Sequence, residues 1–224
     1  MLRITEPELM NEAEQAAAYA NADFEEPHNH FIELLKSSCL EHLPTHGRAL
    51  DLGCGAADIS VRFARAFPNY LIDAVDGAKS MLAEAEKKLS REEKDIAERI
   101  NLIEAQLQDF QVESVDYDLV FSNSLLHHLH EPNLLWHFIS QFSASTNIFI
   151  MDLMRPMDEE QVNKLVNHYA CNEPEILQRD FRNSLFAAFQ PNEINQQLLE
   201  AGLINLQVEV VSDRHLVVKG KPGA

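Results

Sequence analysis

The run ALDLGCGAADIS, from Ala49 to Ser60, sets two glycines, Gly53 and Gly55, between two aspartates, Asp51 and Asp58, where an apolar stretch gives way to a helical pattern. A glycine turn between a strand and a helix brings the backbone close to a ligand and aims amide N–H groups at it. A dinucleotide fingerprint, G-x-G-x-x-G, would have a third glycine where Asp58 stands. A carboxylate there suits the helix dipole but competes with a pyrophosphate for the same amides. The turn therefore fits a ligand with a positive centre better than a nicotinamide dinucleotide. Asp76 follows Gly55 by about 21 residues, near the spacing at which an acid reaches a ribose diol. Taken alone, such an aspartate could equally cap the next helix.

Four histidines gather further on: His127, His128, His130 and His137. Imidazole titrates near neutrality, and His127 is the candidate proton acceptor, while His128 reads as a helix-start residue packed beneath the bound ligand. No acidic or cysteine ligand falls at a recognisable metal spacing around them, so no metal site is expected. The segment DLMRP puts Asp152 and Arg155 just after an apolar run, near the mouth of a cleft. In so acidic a chain, Arg179 and Arg182 could clamp an acceptor's carboxylate or phosphate, or pair at the surface with Asp180 or Glu175.

These groups need elements to hold them in place. From Arg48 onward, short apolar runs alternate with helical patterns, the signature of βαβ units around a parallel sheet. The strands are RALDLG, YLIDAVD, INLIEA, YDLVFSN and NIFIMDL, then LQVEVVS and HLVVKG. Only the turn at DRH joins the last two, too short for a crossover, so they form an antiparallel hairpin at the sheet edge. Helical spacing sets Ile59, Phe63 and Ala66 on one face and Met81, Leu82, Ala85 and Leu89 on another, and a last helix runs from Pro191 to a cap at Gly202. Two helical regions fall outside the alternation. One is residues 1–44, with helices expected over EPELMNEAEQAAAYA and HNHFIELLKSSCLEHL. The other, at about 155–190, reads as two helices broken near Pro174. Both would lie above the carboxyl ends of the strands as a cover.

The segment LDLGCGAAD resembles the first motif of class I S-adenosylmethionine-dependent methyltransferases. DAVDGAKSML is similar to that family's VDxSxxML, and YDLVFSNSLLHHLHEP to the FDxVxxxxxLHHLxDP of its small-molecule members. The resemblance spans residues 48 to 154 by motif. It implies a Rossmann-like, doubly wound seven-stranded sheet, mostly parallel, with helical lid segments: an N-terminal lid over 1–44 and a core over 45–224. It implies that Asp51 holds the methionine ammonium, that Gly53 and Gly55 pass under the methionyl part, and that Asp76 binds the ribose with Gly77 beside the adenine. Gln106 takes the place of the family's adenine-binding aspartate, with Leu107 offering a backbone amide; Ser122 and Asn123 would lie beside the methionyl group. Ala57 departs from the usual third glycine and implies a slightly tighter turn. Tyr19 could close over the cofactor, as N-terminal segments do in some members.

The 224 residues suffice for one sizeable core. Thirty-six acids against eighteen bases give a net charge of -18, which opposes a nucleic-acid partner. No apolar run approaches the roughly 18 residues of a membrane span. The N-terminus is acidic and lacks a leader pattern, and the three cysteines, Cys39, Cys54 and Cys171, are widely spaced, so a cytoplasmic location is expected. The expected activity is transfer of the methyl group of S-adenosylmethionine to a small molecule by in-line displacement. An S-adenosylmethionine-binding accessory or sensor protein shares every cofactor motif, and a nicotinamide oxidoreductase is the more distant alternative. An NPPY-like run, typical of members acting on planar amino groups, is absent from the fourth strand, where SNSL stands.

Overall fold

The computed structural model describes residues 1–112 and 117–223. Seven strands, β1 (Gly47–Leu52), β2 (Tyr70–Asp76), β3 (Ile100–Glu104), β4 (Leu119–Asn123), β5 (Asn147–Leu153), β6 (Gln207–Val210) and β7 (His215–Gly220), form one sheet in the order β3-β2-β1-β4-β5-β7-β6. The first five in that order run parallel, while β7 pairs antiparallel with both β5 and β6. The strand order reverses between β1 and β4, and in open sheets of this kind ligands bind at the carboxyl ends of the strands beside such a switch point. The expected strands and terminal hairpin are all found, with the sixth shortened at both ends.

The central strands are buried on both faces, which is why they read as unbroken apolar runs. Along β5, Phe149 and Met151 face one layer and Ile148 and Ile150 the other. The first layer is built on α2 (Glu25–Cys39) and α3 (Asp58–Ala66), which supply Phe31, Leu35 and Phe63. The second is built on α6 (Asn133–Ile139) and α9 (Pro191–Glu200), through Trp136, Ile139, Ile194 and Leu198. The remaining helices are α1 (Ala13–Asn21), α4 (Lys79–Leu89), the single turn α5 (Lys94–Ala97), α7 (Glu159–Tyr169) and α8 (Glu175–Ala187). Helices α7 and α8 flank Pro174 as expected, whereas α6 is not foreseen in the sequence reading.

The N-terminal region differs from expectation. Its first helix starts only at Ala13, and its second begins at Glu25 inside the expected separator. Residues ahead of α1 instead run as an extended strap, because their polar groups find partners far along the chain. The Arg3 guanidinium donates to the carbonyls of Ala187, His127 and Leu129 and lies 4.0 Å over the Phe189 ring. A helix over residues 6–12 would withdraw Glu6 and Glu8, which bind Ser184 and the His130 amide.

Asp58 also departs from its reading as a partner for a cationic ligand. Its carboxylate accepts from His28 Nδ1 at 2.7 Å, Arg62 Nε at 2.6 Å and Lys88 Nζ at 2.5 Å, joining α2, α3 and α4. Burial opposes its charge, but these three donors outweigh burial and hold its pKa far below the usual carboxylate range. A group with a depressed folded pKa stabilises the fold above its unfolded value, and that contribution is lost as the pH falls. Asp58→Asn should therefore cost about 1 to 3 kcal/mol at pH 7, since the cluster is only partly buried. In urea unfolding the gap between wild type and variant should shrink as the pH is taken below about 4.

Candidate active site

A cleft of about 1120 Å³ opens over the carboxyl ends of β1, β2 and β4. It exceeds the roughly 300 to 1,000 Å³ of a pocket for one small ligand and so has room for a cofactor and an acceptor together. The turn from β1 into α3 forms one end. Gly53 and Gly55 have φ of +70° and +54°, and a Cβ on Gly53 would come within 2.9 Å of Leu125 Cδ1. The amides of Gly53 and Cys54 both donate to Val75 O, which leaves the following backbone free to skirt the cleft. Ala57, at φ +62°, takes the left-handed conformation that explains why a glycine is usual there. The tight turn expected at this residue is thus a backbone constraint that the alanine tolerates.

Two carboxylates organise this end. Asp76, leaving β2, accepts from Gly55 N at 2.8 Å and from Ala78 N at 2.7 Å, so one side chain fixes both the glycine turn and the entry to α4. A carboxylate has about four lone-pair positions, and two remain for a ligand diol. Burial raises its pKa above the usual range. Asp51 is 1% exposed and accepts a hydrogen bond from Ser60 Oγ at 2.5 Å. Burial outweighs that bond and pushes its pKa up to about 7, because no cation faces it among the described residues. An ammonium supplied by a ligand would complete this site, and the open positions on Asp76 would accept a ribose diol. The donor set fits S-adenosylmethionine.

The other end is assembled from distant segments. The short 3₁₀ turn Leu126–His128 follows β4 and sets two imidazoles at the cleft. Asp152, ending β5, accepts from Leu126 N at 2.7 Å and Leu153 N at 2.7 Å, and lies 2.5 Å from His127 Nδ1. Burial disfavours a charged His127, but Asp152 and Glu6 outweigh it and raise the imidazole's pKa. His128 is held neutral, its pKa lowered to about 3 by burial and by His127 beside it. Glu6 comes from the strap, and burial raises its pKa. Gln15 of α1 donates to Asp180 of α8 at 2.8 Å, closing the roof. On the far wall Arg214 lies 3.3 Å over the Tyr169 ring, and the Tyr169 hydroxyl donates to Asp213.

Asp51, Gly53, Gly55, Asp76, Gly77, Gln106, Leu107, Asn123, Tyr19 and His127 all line the cleft. Four other candidates take different places. Ser122 is fully buried and donates to the Leu52 carbonyl at 2.7 Å, so its hydroxyl serves the sheet. Asp152 sits behind His127 and positions it. Arg155 turns away toward α9, donating to Ala188 O and Glu193 Oε1. Arg182 pairs with Glu159 and Asn163, joining α7 to α8 at the surface. Arg179 does reach the cleft, where it pairs with Asp180. Of the four histidines, His130 instead pins the strap through the Glu6 carbonyl, and His137 is exposed on α6. Glu6, Gln15, Ser184, Arg214 and His215 line the cleft without any motif to announce them.

Residues 49–145 match the family model of a methyltransferase domain. No curated protein sequence matches the chain. Among solved structures, the chain is similar to human N-acetylserotonin methyltransferase in complex with SAM, with a TM-score of 0.67 and 17% identity over 95% of this chain and 57% of that one. It is similar to phosphoethanolamine N-methyltransferase 2 of Haemonchus contortus in complex with phosphomonomethylethanolamine and S-adenosylhomocysteine, with a TM-score of 0.61 and 19% identity over 81% of this chain and 38% of that one. Both relatives are thus considerably longer. The plantazolicin methyltransferase BpumL, in complex with a pentazolic desmethylPZN analog and SAH, matches at a TM-score of 0.71 and 13% identity over 93% of this chain and 90% of that one. At these identities the likeness is one of fold.

A ligand ammonium that pairs with Asp51 favours its ionised form. Affinity for S-adenosylhomocysteine should therefore fall as the pH drops below about 7, by up to about tenfold per pH unit. Calorimetry at pH 7 in buffers of different ionisation enthalpy should show a fraction of a proton released on binding to wild type and none with Asp51→Asn.

Proposed function

We propose that this chain, which matches the model of a methyltransferase domain over residues 49–145, is a class I enzyme that transfers the methyl group of S-adenosylmethionine to a small-molecule acceptor by in-line displacement. The observation that carries the reading is the pair of carboxylates at the glycine turn, a buried Asp51 that meets no counter-charge among the described residues and a half-buried Asp76 with two open acceptor positions. A dinucleotide would bring a pyrophosphate to a turn already fronted by acids. The methyltransferase relatives named above, two of them in complex with a small-molecule ligand or analog, support an acceptor of that class.

When bound, the cofactor supplies an electrophilic methyl on a sulfonium. Asp51 would hold the ammonium and Asp76 the ribose. Gln106, Leu107 and Gly77 would border the adenine, and Asn123 the methionyl chain, since all four line the cleft. The acceptor would lie between the 3₁₀ turn and α8, lined by Glu6, His127, Asp180 and Ser184. Much of the acceleration should come from alignment and the exclusion of water beneath α1, α8 and the strap. His127 is the group placed to receive a proton that the acceptor gives up, with Asp152 fixing its tautomer and balancing the charge that forms. The three cysteines are free thiols, which suits a reducing, cytoplasmic setting.

Calorimetry with S-adenosylhomocysteine and with NAD, followed by a radiolabelled-methyl screen of small amines, alcohols and thiols, tests this reading. Binding of NAD alone would overturn it, and cofactor binding without any acceptor would favour a sensor. Asp76→Ala should weaken S-adenosylhomocysteine by about 1 to 3 kcal/mol, roughly 5- to 150-fold, through loss of the diol acceptor. Unchanged affinity would place the ribose elsewhere.

A further inference from the structure

The acceptor end holds a buried contact that hydrogen bonding leaves unexplained. His128 Nδ1 is buried without a hydrogen-bond partner among the described residues. That nitrogen stands 3.4 Å from Glu6 Oε1. A lone pair on that nitrogen and a carboxylate oxygen repel unless a cation or a proton lies between them. His127 meets the same oxygen from its other side: its Nδ1 lies 2.5 Å from Asp152, and its Nε2 stands 3.6 Å from Glu6 Oε1.

We propose that Glu6, His127 and His128 form a binding site for one divalent transition-metal ion of the zinc class. The three donor atoms lie within 4.8 Å of one another. Around a tetrahedral ion with bonds of about 2.0 to 2.2 Å, neighbouring donors stand roughly 3.3 to 3.6 Å apart, the separations found from Glu6 to each imidazole. A small rotation of the His128 ring closes the third edge. His127 has the outer partner that metal-bound imidazoles require, the Asp152 carboxylate at its Nδ1. Two imidazoles and one carboxylate favour zinc and its neighbours over magnesium or calcium, which prefer all-oxygen sites. The fourth position faces the cleft. Resting on the methyl-transfer reading, that position would bind an acceptor through its hydroxyl or thiol and promote loss of the proton; His127 is then a ligand of the ion, and the direct proton transfer described above belongs to the ion-free protein.

The expectation of no metal rested on spacing along the chain, and the missing ligand is supplied by the strap, 121 residues before His127. The test needs neither cofactor nor acceptor. Protein stripped with a chelator is titrated with Zn²⁺ against a chromophoric competitor, and with Co²⁺ while the visible d–d bands are recorded. Wild type should bind one equivalent in competition with the indicator, and Co²⁺ should give the intense bands of a four-coordinate site. Glu6→Gln and His128→Ala should each weaken binding at least tenfold, while His137→Ala, on the exposed face of α6, leaves it unchanged. Glu6→Gln keeps the side chain's shape, and circular dichroism checks that each variant is folded. No equivalent bound by wild type, an octahedral Co²⁺ spectrum, or full binding retained by folded Glu6→Gln would overturn the proposal. Failure of S-adenosylhomocysteine to bind would overturn the methyl-transfer reading and leave the ion site standing.

Discussion

The Asp76 carboxylate is the contact on which the cofactor end depends. It receives the amide of Gly55 from one loop and that of Ala78 from the next, so two strand-to-helix turns share a single anchor. Backbone at positive φ, as at Gly53, Gly55 and Ala57, persists only where the surroundings fix it. The sheet supplies the other half of that constraint by holding β1 and β2 in register from Gly47 with Tyr70 to Leu52 with Val75. A ribose placed on Asp76 would therefore be positioned by the same group that shapes the turn beneath it.

The acceptor end repeats the device with Asp152. A carboxylate leaving β5 accepts the amides at the start of the 3₁₀ turn and fixes the tautomer of His127. Asp76 is half-buried and Asp152 fully buried, and each is satisfied by several donors, the condition under which burying a carboxylate organises a site instead of destabilising it. The difference lies in what surrounds them. Asp76 has only its own loops, whereas the groups around Asp152 reach the strap through Glu6 and the Arg3 guanidinium, which spans the carbonyls on either side of His128. The placement of Glu6 against the two imidazoles therefore relies on contacts between the first and the later parts of the chain.

The two ends differ in the same way in how far they are legible in the sequence. The strands show because they are continuous apolar runs, and the cofactor end shows because its groups lie within one or two turns of each other in the chain. Glu6, Gln15, Ser184 and Arg214 give no such signal, since nothing local ties them to a cleft until the fold brings them there. The misplaced residues fail for equally physical reasons. Ser122 precedes Asn123 in a strand, where neighbours point to opposite faces, so only one of the two can reach the cleft. Arg155 and Arg182 find carboxylates on α9 and α7 that sequence spacing does not reveal. Residues 6–12 carry a helical pattern, but the polar contacts of the strap outweigh a propensity that is weak over so short a span.

Asp58 shows why the placement of negative charge matters for the chemistry proposed. Interactions made equally in the ground state and the transition state add affinity without adding rate. The ammonium of the cofactor keeps its charge throughout methyl transfer, so a carboxylate at Asp51 would bind reactant and product alike and leave the barrier unchanged. The sulfonium loses its charge as the methyl departs, and an unpaired carboxylate beside it would stabilise the reactant most and slow the transfer. In the structure the second acid of the glycine turn is neutralised by His28, Arg62 and Lys88, and its charge is spent on joining three helices. The free acid charge at the turn is thereby confined to Asp51, where the ammonium would sit, and to Asp76, where the ribose would sit. A carboxylate that looks in sequence like part of the recognition of a cation therefore does its work in the scaffold.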